Sequence, residues 1–345
     1  MNRRVFIRSV NWIGDAVMSV AALRELRRLY PDDHFAMGAR SWVAGLFENQ
    51  GLVDEIIALE SGDSGLGYQR RTAPRLRGFD RAILFQNAFG AALTVFLARV
   101  PERIGYRTDG RRLLLTRSGS PRIKRLGRHQ IYYYLDLLYQ TGLSPRDYLN
   151  DSSFEPDIHL APTPQGIERA HALMTERGIP PNAPLIGLNP GAYFGSAKRW
   201  FVERYAALAD RLIEGQGACI LIFGSAGEKR IADAIQENMR NRAAALAGAT
   251  DLATLAALIS LCRLFITNDS GPMHLAAALD TPQIAIFGST DEIATGPHSR
   301  TARVIHKHVE CSPCLLRECP LDLRCFSRIE VDEVYEQALE ILNHG

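Results

Sequence analysis

No stretch of this chain stays apolar for the roughly 20 residues that a membrane-spanning helix needs. The most apolar run, residues 82–98, is interrupted by Gln86 and Asn87 and falls short. The opening MNRRVFIRSVNWIGDAV has neither the unbroken apolar core nor the cleavage site of a secretory signal, so a cytoplasmic protein is the expectation. Several nucleotide and hydrolase signatures are missing as well. There is no G-x-G-x-x-G dinucleotide fingerprint, no phosphate-binding P-loop, no serine-nucleophile elbow and no metal-binding carboxylate pair, which argues against ATPase and hydrolase readings. Internal repeats and low-complexity tracts are lacking too, so solenoids and disordered tails are not in question.

What remains is the composition of an ordinary globular chain, 46% hydrophobic and 23% charged, with a mean hydropathy of −0.09. Its 345 residues are long for one domain and comfortable for two. The net charge of +2 hides an asymmetry: residues 1–150 carry 23 Lys and Arg against 14 Asp and Glu, and the remainder carries 17 against 24. Residues 103–128 alone hold nine basic side chains and one acid, Asp109. Such clustering points to an anionic partner, either a phosphorylated substrate or a membrane surface. No standard nucleic-acid-binding motif accompanies it, so nucleic acid is not expected as a partner.

Hydrophobic patterning supplies the fold class. Arg4 to Val10 reads as a strand, followed by Asn11-Trp12-Ile13-Gly14-Asp15 and a helix from about Ala16 to Tyr30. Further strands are expected at 34–38, 54–58 and 81–86, and then at 185–189, 218–223, 244–247, 264–267, 283–287 and 302–305, with helices between. Strands alternating with helices predict an α/β protein with parallel, doubly wound sheets. The expected division is a domain over 1–160, a proline-rich linker region over 161–184, a second domain over 185–328 and a terminal helix over 329–345.

Four loops leave the carboxyl ends of predicted strands, where open α/β sheets bind ligands. They are Asn11 to Asp15, Asn189 to Trp200, Gly224 to Glu228 and Asn268 to His274. They offer Gly14 and Gly271 for close backbone approach, and Lys198 as a point charge for phosphate. They add the hydroxyls of Ser196 and Ser270, and Glu228 as an acceptor for ribose hydroxyls. Asp15 and Asp269 can each be read more simply, as helix caps. Together the loops suit a nucleoside diphosphate carrying a hydroxylated group.

Three segments in order, NWIGDAVMS, NPGAYFGSAKRW and NDSGPMHLAAAL, resemble the ADP-heptose:lipopolysaccharide heptosyltransferases of glycosyltransferase family 9. The resemblance runs along nearly the whole chain and implies a GT-B architecture, two Rossmann-like domains with parallel sheets facing a central cleft. It implies inverting, metal-independent transfer from ADP-L-glycero-D-manno-heptose to an acceptor linked to Kdo2-lipid A, without a cofactor, at the cytoplasmic face of the inner membrane. By that resemblance Asp15 is the general base and Lys198 stabilises the ADP leaving group. Gly14, Ser196, Glu228, Asp269, Ser270, Gly271 and His274 are then donor-side residues. The basic stretch, with Arg107, Arg111, Arg112 and Arg128, would meet the anionic acceptor or lipid surface. Heptosyltransferase I, another GT-B sugar-nucleotide transferase or epimerase, and a non-catalytic module binding anionic surfaces stand as alternatives.

Four of the six cysteines, Cys311, Cys314, Cys319 and Cys325, crowd into one short segment, which resembles the heptosyltransferase II branch rather than I. C-x2-C followed by two more cysteines invites a structural-metal reading, but the second pair lacks the spacing of a zinc ribbon. Reduced thiols in a family-specific loop are the default expectation for a cytoplasmic chain.

Overall fold

The computed structural model describes residues 2–59 and 65–344, and the chain divides into two compact units, Met1–Ile158 and His159–Gly345. In the first, six parallel strands run β1 (Arg4–Arg8), β2 (His34–Arg40), β3 (Glu55–Leu59), β4 (Arg81–Leu84), β5 (Glu102–Tyr106) and β6 (Arg117–Gly119). Their order in the sheet is β3-β2-β1-β4-β5-β6. The second unit contains β7 (Leu185–Asn189), β8 (Cys219–Ile222), β9 (Ala244–Ala245), β10 (Leu264–Asn268), β11 (Gln283–Phe287) and β12 (Ala302–His306), in the order β12-β11-β10-β7-β8-β9. Every pairing is parallel. In both sheets the order of strand addition therefore reverses once, between β1 and β4 and between β7 and β10, and the loops leaving the strand ends part at those switch points.

The central strands are buried on both faces. In β7, β10 and β11 every residue is buried, so they read as near-continuous apolar runs rather than alternating ones, with polar residues only at the ends (Asn189, Thr267, Asn268 and Gln283). Ile186, Leu188, Ile266 and Ile284 form one side of the second core with Trp200, Tyr205 and Phe326. Phe6, Ala36, Leu84 and Val95 anchor the core of the first unit.

Three details depart from the patterning. The expected helix from Ala16 to Tyr30 is two helices, Ile13–Met18 and Val20–Leu29, because the buried Ser19 turns its hydroxyl back to the Ala16 carbonyl at 2.7 Å and competes with the helical ladder. Strands β5 and β6 occupy part of the basic stretch, whose arginines mask the pattern. Residues 161–184 lie within the second unit, where the helix Pro164–Glu176 packs so closely on Leu252–Leu261 that a Cβ at Gly166 would meet the Ala253 carbonyl oxygen at 2.5 Å. The terminal helix spans Val331–His344, and Gly345 lies outside the described residues.

Candidate active site

The switch point of the first sheet opens into a pocket of about 590 Å³. Asn11, Trp12 and Asp15 line it from the end of β1, and Phe85, Gln86 and Asn87 line it from the end of β4. Asp15 stands in the first turn of Ile13–Met18 and lines the pocket. Its carboxylate does not cap that helix: the cap position falls on Trp12, and Asp15 Oδ1 accepts instead from the hydroxyl of the buried Tyr134 at 3.4 Å. Burial holds the Asp15 pKa above the ordinary carboxylate value, and the Tyr134 hydrogen bond only partly opposes the shift.

The wall opposite is held by a buried arginine. Arg111 is fully buried, and it donates to the carbonyls of Gln86 and Tyr106 and, at 3.0 Å, to Asn87 Oδ1. Asn87 in turn donates to the Tyr133 hydroxyl at 2.5 Å. Desolvation lowers the Arg111 pKa to about 10. This corrects the acceptor-binding expectation for Arg111, because every donor direction used points into the protein.

The same partition runs through the whole basic stretch. Arg103 is spent on the Leu114 and Val100 carbonyls, Arg117 on Glu102, and Arg122 on Asp136 and Asp147. Arg107, Arg112, Lys124 and Arg125 are exposed, and Arg128 stacks on the Tyr132 ring at 5.0 Å. Lys124 is the one basic side chain that lines the Asp15 pocket. Sequence reasoning had not singled it out.

In the second unit the switch point is stitched by two asparagines at the ends of β7 and β10. Asn189 Nδ2 donates to the Thr267 and Ser270 hydroxyls at 3.0 and 2.9 Å, and Asn268 Nδ2 donates to the Pro190 carbonyl at 2.7 Å. Asn268 Oδ1 accepts from the Trp200 N–H and the Tyr205 hydroxyl. These bonds set the Asn189–Trp200 loop beside the residues that follow β10. Across them Lys198 Nζ meets Asp269 Oδ2 at 2.6 Å, with the two side chains 15% and 6% exposed. Thr290, beyond the end of β11, donates to the same Oδ2 at 2.6 Å. The Phe194 ring lies 5.1 Å from the lysine nitrogen.

Asp269 thus spends its charge on Lys198 rather than on the helix Gly271–Ala278, whose cap position is Ser270. His274 is buried in that helix, and Ser196 is exposed at the start of the turn that carries Lys198. Glu228 accepts from the Ser225 N–H and hydroxyl on Oε2, each at 2.8 Å, while Oε1 lies against Gly191, where a Cβ would be only 2.2 Å away. The loops bearing Lys198, Glu228 and Asp269 are therefore all placed at one edge of one sheet. Gly14 is the exception among the donor-side candidates, since it belongs to the first unit beside Asp15. Thr290 was missed because a threonine three residues past an ordinary buried strand carries no sequence signal of its own.

A model of glycosyltransferase family 9 (heptosyltransferase) matches residues 70–324. The lipopolysaccharide heptosyltransferase 2 of Salmonella typhimurium is 34% identical over 88% of this chain and 87% of its own. The lipooligosaccharide heptosyltransferase 2 of Campylobacter jejuni is 28% identical over 99% of both. The solved structure of Escherichia coli ADP-heptose lipopolysaccharide heptosyltransferase II superposes with a TM-score of 0.84 and 28% identity, covering 99% of each chain.

Proposed function

Since the chain belongs to glycosyltransferase family 9, the heptosyltransferases, we propose that it transfers L-glycero-D-manno-heptose from ADP-heptose to a heptose already attached to Kdo2-lipid A. As an enzyme it is a lipopolysaccharide heptosyltransferase of GT-B architecture. The observation that carries the finer reading is similarity over 99% of both chains to proteins named heptosyltransferase 2 or II.

The acceptor hydroxyl oxygen attacks the anomeric carbon of the donor while its proton passes to Asp15. The bond from the anomeric carbon to the ADP oxygen breaks, and its electron pair leaves on the diphosphate. One displacement inverts the configuration and needs no covalent intermediate. Desolvation makes Asp15 a stronger base than a free carboxylate. Lys198 has three N–H donors and spends one on Asp269, so the others can meet the charge that develops on ADP. A lysine in that role takes the place of a Lewis acid, and transfer is expected without added divalent cation. Asp269, repelled by phosphate, would face donor sugar hydroxyls, with the Ser270 and Gly271 N–H groups toward the diphosphate. Glu228 would hold the ribose through Oε1.

Peripheral contact with an anionic membrane surface would rest on Arg107, Arg112, Lys124 and Arg125, each contributing roughly 1 kcal/mol. No helix among the described residues is long and apolar enough to cross a membrane.

Two measurements test the reading. Offered Kdo2-lipid A with and without one heptose attached, the protein should glycosylate only the heptosylated acceptor. Use of the acceptor without heptose alone would favour heptosyltransferase I, equal use of both would overturn the acceptor assignment, and tight preference for UDP over ADP in calorimetry would overturn the ADP-heptose assignment. Gly191→Ala checks the ribose contact. The added methyl must displace Glu228, so ADP affinity should fall, and Gly191→Ala combined with Glu228→Ala should bind ADP no more weakly than Glu228→Ala alone.

A further inference from the structure

The segment Cys311–Cys325 places four cysteines, spaced C-x2-C-x4-C-x5-C, among the residues that line one small cavity of about 20 Å³. That is room for one water-sized occupant, which needs roughly 10–15 Å³. None of the four is in a disulfide; Cys325 is buried and the other three are half-buried. The two remaining cysteines sit elsewhere, Cys219 in β8 and Cys262 at the end of a helix, donating to the Leu258 carbonyl.

We propose that Cys311, Cys314, Cys319 and Cys325 bind one thiophilic divalent cation, Zn²⁺ or Fe²⁺, in a closed tetrahedral site. Four thiolates suit either ion and exclude magnesium and calcium, which require oxygen ligands. Four protein ligands leave no open position for substrate, so the site is structural. Among the described residues, ligand atoms all within 4.8 Å of one another occur only in Glu292, His306 and His308. Closure of the thiol site therefore requires the ion to draw the sulfurs inward. The histidine trio does not compete for it: His306 Nδ1 is engaged by Glu292 at 2.6 Å and Nε2 by the Ser312 hydroxyl at 2.8 Å, which tethers the cysteine loop to the sheet.

The loop is also the outer wall of the Lys198 turn. The Arg317 carbonyl accepts the Ala197 N–H at 3.0 Å, and it approaches Gly195 so closely that a Cβ there would stand 2.1 Å away. The Leu315 N–H donates to the Ser289 carbonyl at 2.8 Å, next to the threonine that bonds Asp269. An ion that clasps residues 311–325 would thus fix the wall against which the phosphate-facing lysine is positioned.

The test is elemental analysis of the full-length protein, purified under reducing conditions without chelator and reconstituted separately with Zn²⁺ and Fe²⁺. About one equivalent is expected, and the preferred ion identifies the native one. Cys314→Ser with Cys319→Ser should lose the metal, lower Tm by several degrees and raise the ADP Kd, whereas Cys219→Ser should keep the metal. Should the double variant fail to fold, Co²⁺ in the wild type gives an independent readout through thiolate-to-cobalt charge-transfer absorption. Substoichiometric metal after reconstitution, metal retained in the folded double variant, or disulfides among the four cysteines would overturn the site. Metal content does not depend on which nucleotide the enzyme uses, so failure here is separable from failure of the donor assignment.

Discussion

Asp15→Ala is expected to reduce kcat by about 10²–10⁴, the usual contribution of a general base, while ADP binds as it does to the wild type. The nucleotide contacts proposed above are Lys198, Glu228 and the Ser270 and Gly271 amides, all in the second unit, so removing a carboxylate from the first should leave them intact. Transfer within a few-fold of wild type would remove Asp15 from the mechanism. The pH profile supplies a second reading. Because burial raises the Asp15 pKa, the acid limb of kcat/KM should fall above the ordinary carboxylate value near 4. Stability should follow the same shift with a definite sign. The folded state favours protonated Asp15 more than the unfolded state does, so its stabilisation is complete below about pH 3.9 and is lost as pH rises through the folded pKa. Asp15→Asn should therefore raise Tm at about pH 7.5, with the gain vanishing in acid. A positioning carboxylate with an unshifted pKa would show neither effect.

Lys198→Ala should lower kcat by about 10²–10³, the loss found when one donor to a developing oxyanion is removed. It should also weaken ADP binding and destabilise the fold. Asp269 would be left 6% exposed with the Thr290 hydroxyl as its remaining partner, and breaking a buried pair costs about 3–5 kcal/mol. Lys198→Met with Asp269→Asn separates the two consequences. Neutralising both partners should recover most of the stability and none of the transfer. If stability and transfer returned together, the lysine would be a structural partner and the leaving group would be stabilised elsewhere. Denaturant midpoints and initial rates of the wild type, Lys198→Met, Asp269→Asn and the double variant close the cycle.

Legibility in the sequence tracked hydrophobic continuity. The six strands of the second unit were readable because β7, β10 and β11 are short, largely apolar, fully buried runs separated by helical segments. In the first unit β5 and β6 were lost in the basic stretch. Arg103 and Arg117 stand in those strands, with their charge absorbed by carbonyls and by Glu102, and that satisfaction cannot be seen in one dimension. The same blindness placed Arg111 with Arg107, Arg112 and Arg128 as an acceptor-facing cation. Arg111 has the composition of a phosphate ligand and the environment of a core residue. The Lys198 and Asp269 pairing was also hidden, since each residue was legible as a ligand-facing group but their mutual distance was not. The loops themselves were found correctly, because strand ends at a switch point are fixed by topology alone.

The partition of charge in residues 103–128 bears on how long the enzyme would stay at a bilayer. Nine free cations would hold a protein on an anionic leaflet through many catalytic cycles, whereas four exposed ones, each worth roughly 1 kcal/mol and screened beyond about 8 Å in physiological salt, give a brief, contact-range dwell. On the proposed membrane contact, such an enzyme would visit the leaflet rather than reside there. Each acceptor would be met in a separate encounter, with donor loading and product release proceeding in bulk solution between visits.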